Sequence, residues 1–429
     1  MTSETASVPK AGDMLDLAVG EVVHGGWCVS RQDDTGWVIF VRHALPGELV
    51  RAVVTQSTAR FARADAVEIL RPSPDRVAAP CPYARPGGCG GCDWQHASLP
   101  AQRALKSAVI SQQLSRIAGI DLPVEVCALA GDEEGLGWRI AVSFAVDRPG
   151  SAGLRKHRSH EVIEVDRCRI AHQLVTDMNI TGMRWPAVSG VQVSVAPHSR
   201  ERGVLVVSPR RLRADNLPPV QADSVLLARE HGARSPVHGR AYLTQHAVGR
   251  DWRVSVGGFW QVHPGAADAL ADAVLAALDP ATGATAVDLY SGAGLFAGVL
   301  AEAVGSDGRV IAIEQNASAV RDARYNLSEW PWAHVLKGDA ARALARADLR
   351  GASLVVLDPP RTGAAKPVID VLCGRSELRK IAYVSCDPAT LARDLRLLID
   401  GGWRLDSVEG FDAFPMTHHV ECLAVLGRE

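Results

Sequence analysis

Apolar and polar positions alternate along residues 13 to about 72, in the runs DLAVGEVV, GWVIFVRH, ELVRAVVTQ and DAVEILRP. A period of two puts successive side chains on opposite faces, so each run predicts a short strand with one buried face. Turn residues separate the runs at His24-Gly25-Gly26, Asp33-Asp34-Thr35-Gly36 and Leu45-Pro46-Gly47. A small all-β barrel over 13–72 accounts for this pattern, behind a polar leader expected to be disordered. The stretch from Cys81 to Trp94 is rich in Pro, Gly and Cys and predicts no regular element, whereas residues 99–118 space their apolar positions as a helix does. Residues 136–256 read as an α+β segment with strands such as RIAVSFAV, EVIEV and VQVSVAP. From about 264 the rhythm becomes helix, strand, helix, strand, which predicts a doubly wound parallel sheet whose ligands bind outside the carboxyl ends of the strands. The expected organisation is an α/β protein in three domains, 13–72, 73–256 and 257–429.

Three strand ends in the last domain carry a nucleoside-binding pattern. Val287-Asp288-Leu289-Tyr290-Ser291-Gly292-Ala293-Gly294 closes a buried strand in a glycine turn before a helix, where Gly292 and Gly294 let a ligand approach the backbone. Glu314 ends the next strand, placed to accept two ribose hydroxyls, and Asp339 follows the third, suited to an adenine amino group. The loop lacks the third glycine of a pyrophosphate fingerprint, which points to S-adenosylmethionine and away from NAD.

The fourth and fifth strand ends carry the chemistry. Asp358-Pro359-Pro360 is followed by Arg361, where an amino-group methyltransferase would place an aromatic, and Ser385-Cys386-Asp387-Pro388 puts a thiol at the mouth of the cleft. C5 of a pyrimidine is a poor nucleophile until a thiolate adds to C6, and a base must later remove the C5 proton. Cys386 and Glu421 suit those roles. Read without that chemistry, Cys386 is a small buried apolar residue and Glu421 a surface carboxylate.

These residues make the chain resemble the RNA 5-methyluridine methyltransferases of the TrmA/RumA type, in which a Gln motif, a glycine loop, DPPR, SCDP and a terminal His-Val-Glu follow in this order. The resemblance covers essentially the whole chain and implies a Rossmann-like class I methyltransferase domain. It implies Cys386 as nucleophile, Glu421 as proton acceptor, and Gln261, Tyr290, Glu314 and Asp358 as donor-binding residues. The pattern departs at Leu295 and His263, where Asn is common. Cytosine-specific relatives usually carry a second cysteine where Pro360-Arg361 stands, so uracil is the expected base and 5-methylcytosine formation the alternative. A catalytically silent RNA-binding protein is the rival from another class.

Residues 13–72 resemble a TRAM domain, an OB-like barrel that binds RNA, although a purely structural barrel has the same pattern. Nine cysteines in a chain with no secretion signal predict a reducing cytoplasm and thiols that bind metal, react or pack. Cys81, Cys89 and Cys92 cluster and Cys168 completes four thiolates, a set that suits zinc or iron–sulfur; the resemblance selects a [4Fe-4S] cluster. Cys28, Cys127, Cys373 and Cys422 are expected to pack.

Net charge is −2, so RNA affinity must come from local clusters such as Arg139, Arg155, Lys156, Arg158 and His160, which equally describe a solvated face. No apolar run is long enough to span a bilayer. A monomer acting on RNA, ribosomal RNA in preference to tRNA, completes the expectation.

Overall fold

The computed structural model describes residues 8–32, 36–131, 133–230 and 232–428. Residues 1–7 of the expected disordered leader and the turn at Asp33-Asp34-Thr35 lie outside them.

The first unit is a six-stranded sheet in the order Met14–Ala18, Leu49–Ser57, Ala62–Arg71, Val38–Arg42, Trp27–Arg31, Val22–Val23. Its inward faces are apolar and pack around Ile39, Val41, Val50, Ala52 and Trp94. Past the first strand the chain meets the fifth in this order, with Gly20 N donating to Val29 O at 2.7 Å and Val29 N to Glu21 O at 2.8 Å, so the sheet curls on itself. The second unit is a seven-stranded sheet, largely antiparallel, centred on Gly190–Ala196 and Glu201–Ser208.

The third unit is an eight-stranded sheet ordered Ala333–Lys337, Arg309–Glu314, Thr285–Leu289, Ala352–Leu357, Lys380–Ser385, Glu421–Gly427, Arg404–Phe411, Val126–Cys127. The first five strands are parallel, and Glu421–Gly427 runs antiparallel beside Lys380–Ser385. Thr285–Leu289 lies between the strand that follows it and Ala352–Leu357, so the strand order reverses there and opens a crevice at the carboxyl ends. Helices cover both faces with two apolar layers, one built on Val287, Ile311, Val355 and Tyr383, the other on Ala286, Val310, Val356 and Trp252.

The packing does not follow the order of the chain. The helix Leu99–Gln113 and the strand Val126–Cys127, which precede the central sheet, pack into the last unit: Ile110, Leu114, Val124 and Val126 join its core. Lys106 on that helix forms a fully buried ion pair with Asp412 and donates to Phe414 O at 3.0 Å. Among the described residues no helix is long and apolar enough to cross a membrane.

Candidate active site

Strand ends build one wall of a cavity of about 660 Å³. After Thr285–Leu289 the backbone turns through three left-handed residues, Tyr290 (φ 63°), Gly292 (φ 53°) and Gly294 (φ 95°). Left-handed backbone is costly for a side chain such as that of Tyr290 and persists where its surroundings enforce it. The turn is held from the next strand: Gly292 N donates to Glu314 Oε2 at 3.0 Å and Asn316 N to Oε1 at 2.6 Å. Each carboxylate oxygen keeps a further lone pair for a ligand. Behind the loop, Asp288 is fully buried and accepts from Ala297 N at 2.8 Å, and burial pushes its carboxyl well above the usual range.

Gln261, Tyr290, Gly292, Glu314 and Asp358 all line this cavity, as the sequence led us to expect of donor-binding residues. Gly294 and Asp339 do not. Gly294 occupies the N-cap of helix Leu295–Val304, and the Asp339 carboxylate is engaged as the N-cap of Ala340–Arg346, accepting from Arg342 N at 3.1 Å. An acidic residue just before a helix is as readily a cap as a ligand, and its local sequence does not tell the two apart. Asn316 and Asp322, which sequence reasoning missed, also line the wall. Asn316 caps Ala317–Asn326, so its helix-start position was the available signal. His263 is buried elsewhere, stacked on Trp138 with ring centroids 5.9 Å apart.

Cys386, Asp358, Arg361 and Glu421 line the same cavity. Cys386 follows Lys380–Ser385, Asp358 follows Ala352–Leu357, and Glu421 opens the antiparallel strand beside Cys386. Burial and mutual repulsion hold Glu421 well above the usual carboxylate range, and burial lifts Asp358 to about 7. Glu421 Oε1 has no hydrogen-bond partner among the described residues. Burial, then the neighbouring Glu421 and Asp358, push the Cys386 thiol up to about 12, against the opposing pull of Arg361.

The loop before Glu421 is clamped from outside the sheet. Asp93 N and Trp94 N donate to Met416 O at 3.0 and 3.1 Å, and Met416 N donates to Gln102 Oε1 at 2.7 Å. The His418 and His419 rings lie 4.1 Å apart, and His419 Nε2 is 3.3 Å from Arg361. From the first sheet, His24 Nε2 lies 3.2 Å from Asp387 Oδ2, one residue past the thiol.

Cys81, Cys89, Cys92 and Cys168 line a second cavity of about 920 Å³ together with Arg139, Arg155, Lys156, Arg158 and His160. Burial raises Cys89 to about 11, Cys92 well above the usual thiol range and Cys168 upward. Among the described residues, however, no three His, Cys, Asp or Glu side chains are grouped closely enough to hold a metal ion, so the expected metal centre is not present as a coordinating group. Burial disfavours the thiolates of Cys89, Cys92 and Cys168. Of the cysteines expected to pack, Cys28 and Cys422 are buried, but Cys127 is exposed on an edge strand.

Residues 343–429, which hold Asp358, Cys386 and Glu421, match the family model for tRNA (Uracil-5-)-methyltransferase. Over 97% of its length the chain is 48% identical to a Streptomyces avermitilis protein named as an uncharacterized RNA methyltransferase, covering 98% of that protein. The chain belongs to the TrmA/RumA-type RNA methyltransferase family. This S-adenosylmethionine-dependent RNA methyltransferase is also 35% identical to a Bifidobacterium longum protein likewise named, over 94% of each chain. Residues 263–341 match a second family model, protein-L-isoaspartate(D-aspartate) O-methyltransferase, and this is the half that carries the glycine loop and Glu314. The methyltransferase has the fold of a Pyrococcus abyssi tRNA (uracil-54, C5)-methyltransferase solved with S-adenosyl-L-homocysteine, with TM-score 0.70, 22% identity, and coverage of 95% of this chain and 99% of that one.

Proposed function

We propose that the enzyme methylates C5 of a uridine in RNA, with Cys386 as transient nucleophile and Glu421 as the base that ends the reaction. The observation that carries this reading is the meeting of Cys386 and Glu421 in the cavity that Gln261, Tyr290, Gly292, Glu314 and Asp358 line as donor residues. Cys386 gives up its proton to solvent and the thiolate sulfur bonds to C6, shifting the C5–C6 double-bond pair to make C5 enolate-like; C5 then takes the methyl group, and S-adenosylhomocysteine leaves. Glu421 accepts the C5 proton, the C5–H electron pair restores the double bond, and the C6–S bond breaks. Arg361 favours the Cys386 thiolate throughout. Cys386 is the one cysteine lining this cavity among the described residues, which favours uracil over cytosine.

In this reading residues 13–72 are a TRAM-type RNA-binding barrel, 73–256 a cysteine-rich and central RNA-binding region, and 257–429 the catalytic domain. The RNA is ribosomal in preference to tRNA, and the enzyme works as a cytoplasmic monomer. The family resemblance points to a [4Fe-4S] cluster in preference to zinc on Cys81, Cys89, Cys92 and Cys168; these line one cavity but form no coordinating group as they stand, so the thiols would have to draw together to hold it. Such a cluster would cross-link the loop to the central domain, since methyl transfer has no net redox change. The test is methyl transfer from labelled S-adenosylmethionine to bulk RNA followed by identification of the methylated nucleoside. 5-Methyluridine is expected, 5-methylcytosine would reassign the base, and no transfer would leave an RNA-binding protein.

A further inference from the structure

Trp27, on the first sheet, has three guanidinium groups about its ring, those of Arg63, Arg158 and Arg42 at 5.5, 5.7 and 5.8 Å from the centroid. Arg42 is neutralised by Asp93 at 3.3 Å. Arg63 and Arg158 form no ion pair with any described residue, and neither does Arg85, which lines the same cleft of about 310 Å³. The cleft's other charged groups are Lys156, already 3.3 Å from Glu161, and one carboxylate, Asp65. Two cations facing one indole repel each other, and the burial of Arg63 together with Arg158 disfavours its charged form. Such an arrangement is stable only at a cost unless an anion enters between them.

The cleft is built, not accidental to a mobile surface. Arg63 Nη1 donates to Gln56 Oε1 at 2.5 Å. The turn carrying Arg158 is fixed to the cysteine-rich loop by Gly90 N donating to Arg155 O at 3.0 Å, and Arg158 itself is left-handed (φ 51°). A side chain at position 90 would lie 2.4 Å from His157 N, so glycine there lets the two segments meet. Cys89, Lys156, His157 and Arg158 line both this cleft and the cysteine cavity, while Arg139, His157 and Arg361 line both the cysteine cavity and the one holding Cys386. A continuous cationic path therefore leads from Trp27 to the nucleophile.

We infer that the cleft between Arg63 and Arg158 binds a phosphodiester of a single RNA strand, several nucleotides along the chain from the base at Cys386. This inference rests on the RNA methyltransferase reading above and adds a backbone subsite outside the catalytic cavity. Guanidinium planes suit it twice over, as bidentate donors to phosphate and as stacking surfaces for unpaired bases.

The experiment is equilibrium binding of a short fluorescent single-stranded RNA to the full chain over a series of salt concentrations. R63A/R158A should weaken binding about tenfold or more and lower the salt slope by roughly 0.7 for each phosphate no longer neutralised. R63K/R158K should keep the slope while losing part of the affinity, because charge survives and the planar fork does not. S-Adenosylmethionine affinity, read by calorimetry, should stay that of the wild type in every variant. Should the alanine pair fail to fold, R63Q and R158Q keep the bulk and read the same interactions. Unchanged RNA affinity and slope overturn the inference, as does labelled polyglutamate whose binding is lost in R63A/R158A while RNA affinity is not, which would make the cleft a site for acidic protein. The uridine reading fails separately, if wild-type enzyme transfers no methyl group to RNA while arginine-dependent binding persists.

Discussion

Asp93 Oδ2 lies 2.6 Å from His418 Nδ1 and also accepts from His418 N at 3.2 Å, which ties the cysteine-rich segment to the loop that carries Glu421. On its other side Asp93 meets Arg42 of the first sheet, and both side chains of that pair are 6% exposed. One carboxylate thus joins three parts of the chain at the wall of the active site.

Replacing Asp93 with Ala leaves a buried guanidinium unpaired and frees the loop at once. Removing one partner of a buried pair costs about 3–5 kcal/mol, so D93A should unfold at markedly lower denaturant than the wild type in equilibrium melts. D93N keeps hydrogen bonding to His418 N and should recover part of that loss. Equal stability of D93A and wild type would mean the pair is dispensable.

Cys386 and Glu421 should fail in opposite ways. C386A cannot attack C6 and should be inactive and free of covalent RNA. E421Q keeps the nucleophile but lacks the base, so methylated RNA should accumulate on the protein in denaturing gels. RNA containing 5-fluorouridine should trap the wild type and not C386A. An adduct on C386A would assign the nucleophile to another cysteine, and normal turnover by E421Q would assign the base elsewhere.

Donor binding should release protons. Burial raises Asp358 to about 7 and, with repulsion from Asp358, holds Glu421 well above the usual carboxylate range, so the pair resists full ionisation in the free enzyme, and a cation beside them favours the ionised forms. Calorimetry in buffers of different ionisation enthalpy should show about one proton released near pH 7 with the sulfonium donor, and less with neutral S-adenosylhomocysteine. The rate should rise with pH, because base and thiolate are both deprotonated forms. R361A removes the cation that favours the Cys386 thiolate, so its alkaline limb should move to higher pH. Identical proton release by the two ligands would contradict this account.

In the proposed reading Glu314 has two tasks, holding the glycine turn and accepting from the donor ribose, so its loss should exceed that of a ribose contact. E314A gives up the hydrogen bonds from Gly292 N and Asn316 N as well as the proposed ribose contacts. A pair of charge-assisted hydrogen bonds corresponds to roughly one to two decades of affinity, and titration calorimetry should find S-adenosylmethionine weakened by more than tenfold with RNA affinity retained. Unaltered donor affinity would place the ribose elsewhere.

Iron should travel with the four cysteines. Protein purified without oxygen is expected to be brown with about four irons per chain, and C81S, C89S, C92S or C168S should each lose them. Stoichiometric zinc in place of iron would decide the metal the other way.

Sequence alone determined whatever depends on local period and local chemistry. The period-two runs of residues 13–72 became the first sheet, and the helix–strand rhythm after 264 became the parallel sheet with its crevice at the glycine loop. Cys386 and Asp358 could be picked out because each follows a parallel strand, and the carboxyl ends of such strands converge by construction, whereas Glu421, at the start of an antiparallel strand, was legible only through the terminal His-Val-Glu motif. Tertiary structure decided what depends on the meeting of distant segments. The helix Leu99–Gln113 and strand Val126–Cys127 follow the cysteine-rich segment in sequence yet complete the catalytic core, because their apolar faces match that sheet. Asp339 became a helix cap, and Cys127 an exposed edge residue, since burial is set by neighbours that no local pattern names. The pairing of Asp93 with His418 spans 325 positions and the arginines around Trp27 come from two units of the fold, so charge, desolvation and repulsion there arise only when the chain has folded.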